Sequence, residues 1–249
     1  MNSDVCDGTS FADVAVRLQD LMLGNQPVPH MLDNLAGYAA QRLGGPGRDI
    51  ACNITLARPK KPVARAASSS VARLMNQLEG AYADSPGATA ARLSQTVVVP
   101  DLRREVRWPE YVLAGRRQGV LSVVSLPMLL DADDHGLFSL YSSQPEEPGS
   151  GSTASAEAFV AQASKGLRLA LRMAKLHDTK DGLSAAMKTR TVIDLATGAI
   201  MAQSRCGQAA AFKVLRDASN TRNIKLREIA SGVISSVAGG AETFTYFDE

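Results

Sequence analysis

The chain has 249 residues, 45% hydrophobic and 21% charged, with a formal net charge of +2, which suits a globular protein of one large or two smaller domains. Three widely spaced cysteines (Cys6, Cys52, Cys206) and three scattered histidines (His30, His135, His177) form neither a CxxC pair nor a Cys/His cluster, which argues against a disulfide framework and a zinc site. The first residues carry no basic and apolar leader, and no run of about 18 apolar residues occurs, so a cytoplasmic protein without a membrane span is expected.

Taken in chain order, residues 11–23 have helical spacing, with Phe11, Val14, Leu18 and Leu21 on one face. Residues 30–43 repeat the pattern through Met31, Leu32, Leu35, Ala36 and Ala39, and a Gly-Gly-Pro-Gly run stops it. Residues 50–57 alternate as a strand, with Cys52 read as a core position, and 63–67 read as a short return strand. A helix is expected over 71–80. Strands follow at 96–99, 120–126 and 136–141, the last two joined by a polar turn at 131–134. The stretch 146–155 reads as a loop and 156–175 as a long helix rich in Ala and Leu. Helices around short strands imply an α+β architecture for residues 9–174, with an antiparallel sheet flanked by helices.

Several residues carry a resemblance across this part of the chain. They are Val99-Pro100-Asp101-Leu102, Arg107-Trp108-Pro109 (with Trp108 read as buried), Gly119-Val120, and Ser122 with Ser125-Leu126-Pro127. Gly136, Leu140-Tyr141-Ser142, Phe159 and Ala163 complete the set. The sequence resembles a GAF domain, and more closely the GAF half of actinobacterial GAF–ANTAR proteins. The resemblance implies a sensor that holds a small molecule or works by interaction alone; it names no ligand, and no cofactor is assigned. Such proteins tend to carry a cysteine ahead of the Val-Pro-Asp strand. Here that region reads Asp84-Ser85-Pro86-Gly87-Ala88, so a role attached to that cysteine does not carry over.

The charge is unevenly spread. Residues 175–238 hold ten Lys and Arg against five Asp and Glu, giving +5, while residues 1–174 hold 17 of each. Positive charge gathered in one segment points to an anionic partner. Three helical patterns follow one another over 183–237, broken at Cys206-Gly207 and at the polar stretch Ser219-Asn220-Thr221-Arg222-Asn223. The inner face of the second is read as Ala211, Phe212, Val214 and Leu215, and that of the third as Leu226, Ile229, Ala230, Val233 and Ile234. Gly198 inside the first costs about 1 kcal/mol relative to Ala, so close approach of RNA or of a neighbouring helix is expected there. Asn223 is read as the N-cap of the last helix.

With Ala186, Arg190, Ile193, Ala196, Gly198, Ile200-Met201, Ala211-Phe212, Leu215-Arg216, Ser219, Asn223, Lys225-Leu226 and Ile229-Ala230 in order and without gaps, the segment resembles the ANTAR domain, the RNA-binding output module of transcription antitermination regulators. The resemblance implies three helices (residues 175–238) that bind paired RNA stem-loops, under control of the GAF half. Candidate RNA-binding residues are Arg190, Thr197, Ser219, Asn220, Arg222, Asn223 and Lys225, since cations serve phosphates while Asn, Ser and Thr serve base edges and sugars. The family usually has Lys at the position of Thr197. Periodicity alone leaves open a DNA-binding transcription factor with a three-helix output domain.

Leu169, Met173, Leu176, Leu183 and Met187 are spaced as a partial a/d repeat, interrupted by Lys180 and weakened by Gly182. A homodimer through this helix is expected. Residues 239–249 form an acidic tail with three carboxylates and three aromatics, which either folds back on the basic surface and competes with RNA or is a terminus with no role of its own. No P-loop, nucleophile elbow or metal motif occurs, so no catalytic residue is assigned.

Overall fold

A computed structural model describes residues 16, 17, 20, 26–45, 47, 49–131, 133–146 and 151–237. The expected helix over 11–23 falls almost wholly, and the acidic tail entirely, outside the described residues. The chain divides into two compact units, Met1–Ala174 and Lys175–Glu249.

The first unit is built on five strands, β1 (Ile50–Ala57), β2 (Ala64–Ala67), β3 (Val97–Val99), β4 (Ser122–Met128) and β5 (His135–Ser142), in the order β2-β1-β5-β4-β3. Every neighbouring pair is antiparallel. The helices in this unit are α1 (Val28–Leu43), α2 (Ser70–Ala81), α3 (Pro86–Leu93), α4 (Pro109–Arg117) and the first part of α5 (Ser152–Ser204). Sequence periodicity foresees α1 and α2 but not α3 or α4. Both missed helices are short and begin with proline, a residue pre-set for a first helical turn. Ser85 caps α3, its Oγ accepting from the Ala88 N–H at 3.1 Å.

Helices cover both faces of the sheet. On one face Cys52, Ile54 and Leu56 of β1 pack with Leu126, Phe138 and Leu140 against α1 and the start of α5. Phe159 of α5 is the aromatic hub of this layer, with ring centroids 5.8 Å from Phe138 and 6.0 Å from Tyr38. Each such side chain removed from water contributes about 1.5–3 kcal/mol. Arg172 of α5 donates to both carboxylate oxygens of Asp131, in the turn between β4 and β5, at 2.8 Å each.

The other face carries Val123 and Tyr141 against Met75, Leu102, Trp108 and Tyr111 from α2, α4 and the loops around α4. This side of the core is partly polar. Asn53 Nδ2 donates to the Tyr141 hydroxyl at 2.7 Å, Asn76 Nδ2 donates to Thr55 Oγ1 at 3.3 Å, and the Ser125 and Ser139 hydroxyls lie 3.1 Å apart. The Ser85 hydroxyl donates to Glu79 Oε2. Glu79 Oε1 and the Tyr111 hydroxyl are buried with no hydrogen-bond partner. Burial pushes the Glu79 carboxyl above its ordinary value near 4.5, against the opposing pull of the hydrogen bond from Ser85. The Cys52 thiol is fully buried and burial raises its pKa well above the usual range. Within the segment 84–88, Ser85 forms the N-cap and residues 86–88 the first turn of α3.

The second unit is helical: the last part of α5, then α6 (Gln208–Arg222) and α7 (Leu226–Val237). No strand occurs among described residues 183–237. The helix read over 156–175 and the a/d stripe over 169–187 belong to one helix, which runs unbroken to Ser204. Lys180 is a good helix former, Gly182 weakens the helix without ending it, and no proline stands in the span. Arg205, at φ 52°, ends α5 in the left-handed region.

Candidate nucleic-acid interface

The three helices of the second unit close on a small core of Ala196, Ile200, Ala211, Leu215 and Ala230, with Ile193, Leu226, Ile229 and Val233 packed around it. Three of the five fully buried positions are alanine, so the helices approach closely and the buried seam of each is narrow. On α6 that seam is Ala211 and Leu215, one turn apart. Phe212 and Val214 flank it and are exposed, Phe212 at 39%. The inner face expected for α6 is corrected accordingly: Phe212 is a surface residue.

Five of the candidate residues form one corner. Helix α6 continues through the stretch read as a polar turn and ends at Arg222. Asn223 follows in the left-handed conformation (φ 52°, ψ 40°) as the C-cap of α6. Its reading as the N-cap of the last helix is therefore corrected; a short polar side chain tolerates this backbone region. The Ser219 hydroxyl donates to the Ile224 carbonyl at 2.6 Å and the Ile224 N–H donates to the Ser219 carbonyl at 3.2 Å, which fixes the corner. Lys225 holds the N-cap position of α7, its carbonyl accepting from the N–H groups of Glu228 and Ile229 at 2.8 and 3.2 Å. Asn220, Arg222, Asn223 and Lys225 are all exposed. They surround a helix start whose free N–H groups favour an anion.

Arg190 reaches the same surface from α5. Its side chain is 87% exposed and lies 3.7 Å from Asp194 one turn on. A groove runs between α5 and the start of α7, with Arg190, Ile193, Phe212 and Leu226 along one stretch. Thr189, Ile193, Lys225 and Arg227 line the adjoining stretch. The groove thus joins Arg190 to Lys225, far apart in sequence. Phe212, read from sequence as an inner-face residue, belongs to this surface, as does Arg227 near the start of α7.

Thr197 does not belong to it. It is buried, and its hydroxyl donates to the Ile193 carbonyl at 2.7 Å within α5. A threonine in mid-helix satisfies its own hydroxyl on the preceding turn, so the surface reading of Thr197 is corrected. Gly198 beside it is exposed, and a Cβ built there meets nothing within 4 Å. Among the described residues, no neighbouring helix approaches that glycine.

Along α5, Leu169, Met173, Leu176, Leu183 and Met187 are all exposed, Leu176 at 70%. Among the described residues, no group of three or more His, Cys, Asp or Glu is placed to hold a metal ion, and no helix is long and apolar enough to cross a membrane.

An antiparallel sheet domain followed in sequence by a basic three-helix unit is the class that this geometry defines. Residues 181–234 match the family model of the ANTAR domain, an RNA-binding output module. No curated protein matches the chain. Among solved structures, the first part of the chain is similar to the phycoerythrobilin-bound GAF domain from a cyanobacterial phytochrome. That likeness has 14% identity and TM-score 0.48, over 67% of this chain and 98% of that one. It is also similar to the N-acylhomoserine lactone-dependent LuxR-family transcription factor CepR2 from Burkholderia cenocepacia (16% identity, TM-score 0.48, 64% and 97% covered). A third is the GAF domain from Acinetobacter phosphoenolpyruvate-protein phosphotransferase (12% identity, TM-score 0.44, 66% and 96% covered).

Proposed function

We propose that the chain is an RNA-binding transcription antitermination regulator. Its ANTAR segment binds paired stem-loops in nascent RNA under control of a GAF-like sensor. Its domains are residues 9–174 for the sensor and 175–238 for the RNA-binding module, followed by the acidic tail. The observation that carries the reading is the basic corner of Arg222, Lys225 and Arg227, joined to Arg190 by a groove, within the segment that matches the ANTAR model. Cations at a helix start bind phosphate, and the polar Asn220 and Asn223 beside them reach sugars and base edges. Two copies of the module, brought together through the a/d stripe of α5, match a pair of stem-loops. The protein acts in the cytoplasm, where nascent RNA is.

Binding to a two-hairpin RNA, compared with a DNA duplex of the same sequence at one salt concentration, tests the reading. The RNA is bound more tightly, and Arg190→Ala, Arg222→Ala and Lys225→Ala each weaken it. Equal affinity for the DNA duplex would favour a DNA-binding regulator.

A further inference from the structure

The groove of the helical unit holds something that phosphate binding does not require. Phe212 is the one exposed aromatic side chain among described residues 175–237. It stands with Ile193 and Leu226 as an apolar wall, and Arg190 borders the same stretch. Lys225 and Arg227 border the next stretch, across Ile193. The buried seam of α6 is Ala211 and Leu215, so Phe212 is not needed for the core and its ring is left on the wall of the groove. We propose that this groove takes an unstacked nucleobase of a hairpin loop, with its face on Phe212 and the flanking phosphates toward Arg190 and Lys225. The inference rests on the RNA-binding reading above and names the part of the RNA that enters.

The chemistry selects this occupant. A stem presents phosphates and paired bases and has no free base face to offer an apolar wall. A loop base is a flat apolar surface joined on both sides to a phosphate, so it needs an aromatic platform with cations on its borders. The unit carries a net +5 over residues 175–238, which suits a polyanion and opposes another cationic module. The carboxylates Asp194 and Glu228 also line the groove. They act against phosphate lying in it and leave the uncharged base face as the better fit.

The test uses the full chain and a stem-loop RNA enriched on it from a pool with a randomised loop. Failure of any RNA to enrich would count against the RNA-binding reading itself, before the groove is at issue. Given an enriched hairpin, Phe212→Ala lowers its affinity by roughly five- to a hundred-fold, the range for losing one base–aromatic stack. Phe212→Trp retains it, and neither variant changes the salt dependence. With the wild-type protein, an abasic substitution at one loop position reproduces the Phe212→Ala loss, and combining the two adds nothing further. Tolerance of every abasic substitution, or Phe212→Ala binding as well as wild type, would overturn the proposal. A loss of affinity in Phe212→Ala that accompanies dissociation of a dimer in light scattering would overturn it too, giving the ring to a second copy of the chain.

Discussion

Glu79 shows how a single side chain sets a property of a whole layer. It stands in the last turn of α2 beside the start of α3, with one carboxylate oxygen accepting from Ser85 and the other unpartnered. Burial favours its neutral form and raises its pKa from about 4.5. The folded state therefore holds this proton more tightly than the unfolded chain. The resulting stability is fully present below about pH 4.5 and is lost as pH rises through the folded-state value. Chemical denaturation between pH 4.5 and 8 checks this: wild type loses stability relative to Glu79→Gln across that window, and the two differ least at its acid end. Parallel curves would show that Glu79 is ionised in the fold. Asp101 and Glu105 run the other way, lowered chiefly by hydrogen bonds from Arg103 and Arg107, Asp101 to about 2, so their contributions fade only in acid. Legibility at this scale was uneven. Cys52 and Trp108 are buried as their contexts imply. Phe212, Asn223 and Thr197 were misplaced for one reason: residue type was weighed above position. An alanine-lined seam is too narrow to admit the neighbouring ring, a left-handed cap needs only a short polar side chain, and a mid-helix hydroxyl turns back onto its own helix.

At the scale of elements, sequence periodicity marks β1, β5, α1 and α2 within a residue or two. It misses α3 and α4, of eight and nine residues, because two turns give too little repeat to read; their proline and serine start signals were the available clue. Helix α5 is the most consequential element; the a/d repeat over 169–187 implies a helix past residue 175, while its unbroken run to Ser204 was not foreseen. With Met173 and Met187 at a and Leu169, Leu176 and Leu183 at d, Lys180 falls on the a position between them. A lysine there weakens a dimer but specifies its register. Light scattering at high concentration gives a dimer for wild type and a shift towards monomer for Leu176→Glu or Leu183→Glu, while Lys180→Leu tightens association and loosens the choice of oligomer. A wild-type monomer, with and without RNA, would remove the dimer. Gly182 and Gly198 are both free of neighbours within 4 Å at the Cβ position. Replacing either with Ala stabilises the helix by about 1 kcal/mol in thermal or denaturant unfolding. They part company on RNA: if the bare backbone at Gly198 is where the ligand approaches, Gly198→Ala loses affinity while Gly182→Ala does not, and equal binding by both would leave Gly198 a plain helix defect.

For the whole molecule, the decisive quantity is where charge resides. The 17 cations and 17 anions of residues 1–174 cancel, while 175–238 carries +5, so the attraction felt by a polyanion is concentrated on the smaller unit. This was legible from counting alone. What counting left out is which cations act together, because Arg190 and Lys225 come to border adjoining stretches of one groove only once α5, α6 and α7 have closed on their alanine core. The distinction is measurable. Each phosphate contact releases counterions, so affinity falls with salt by about 0.7 to 0.9 in log–log slope per contact. Arg190→Ala, Arg222→Ala and Lys225→Ala should each lower the slope for a two-hairpin RNA by roughly that amount. Lys165→Ala, in the charge-balanced first unit, serves as the control and leaves the slope unchanged. Phe212→Ala lowers affinity at every salt concentration without altering the slope, since stacking releases no ions. If Lys165→Ala moved the slope as much as Lys225→Ala, RNA would be reading the overall field of the protein and not the corner where α6 meets α7.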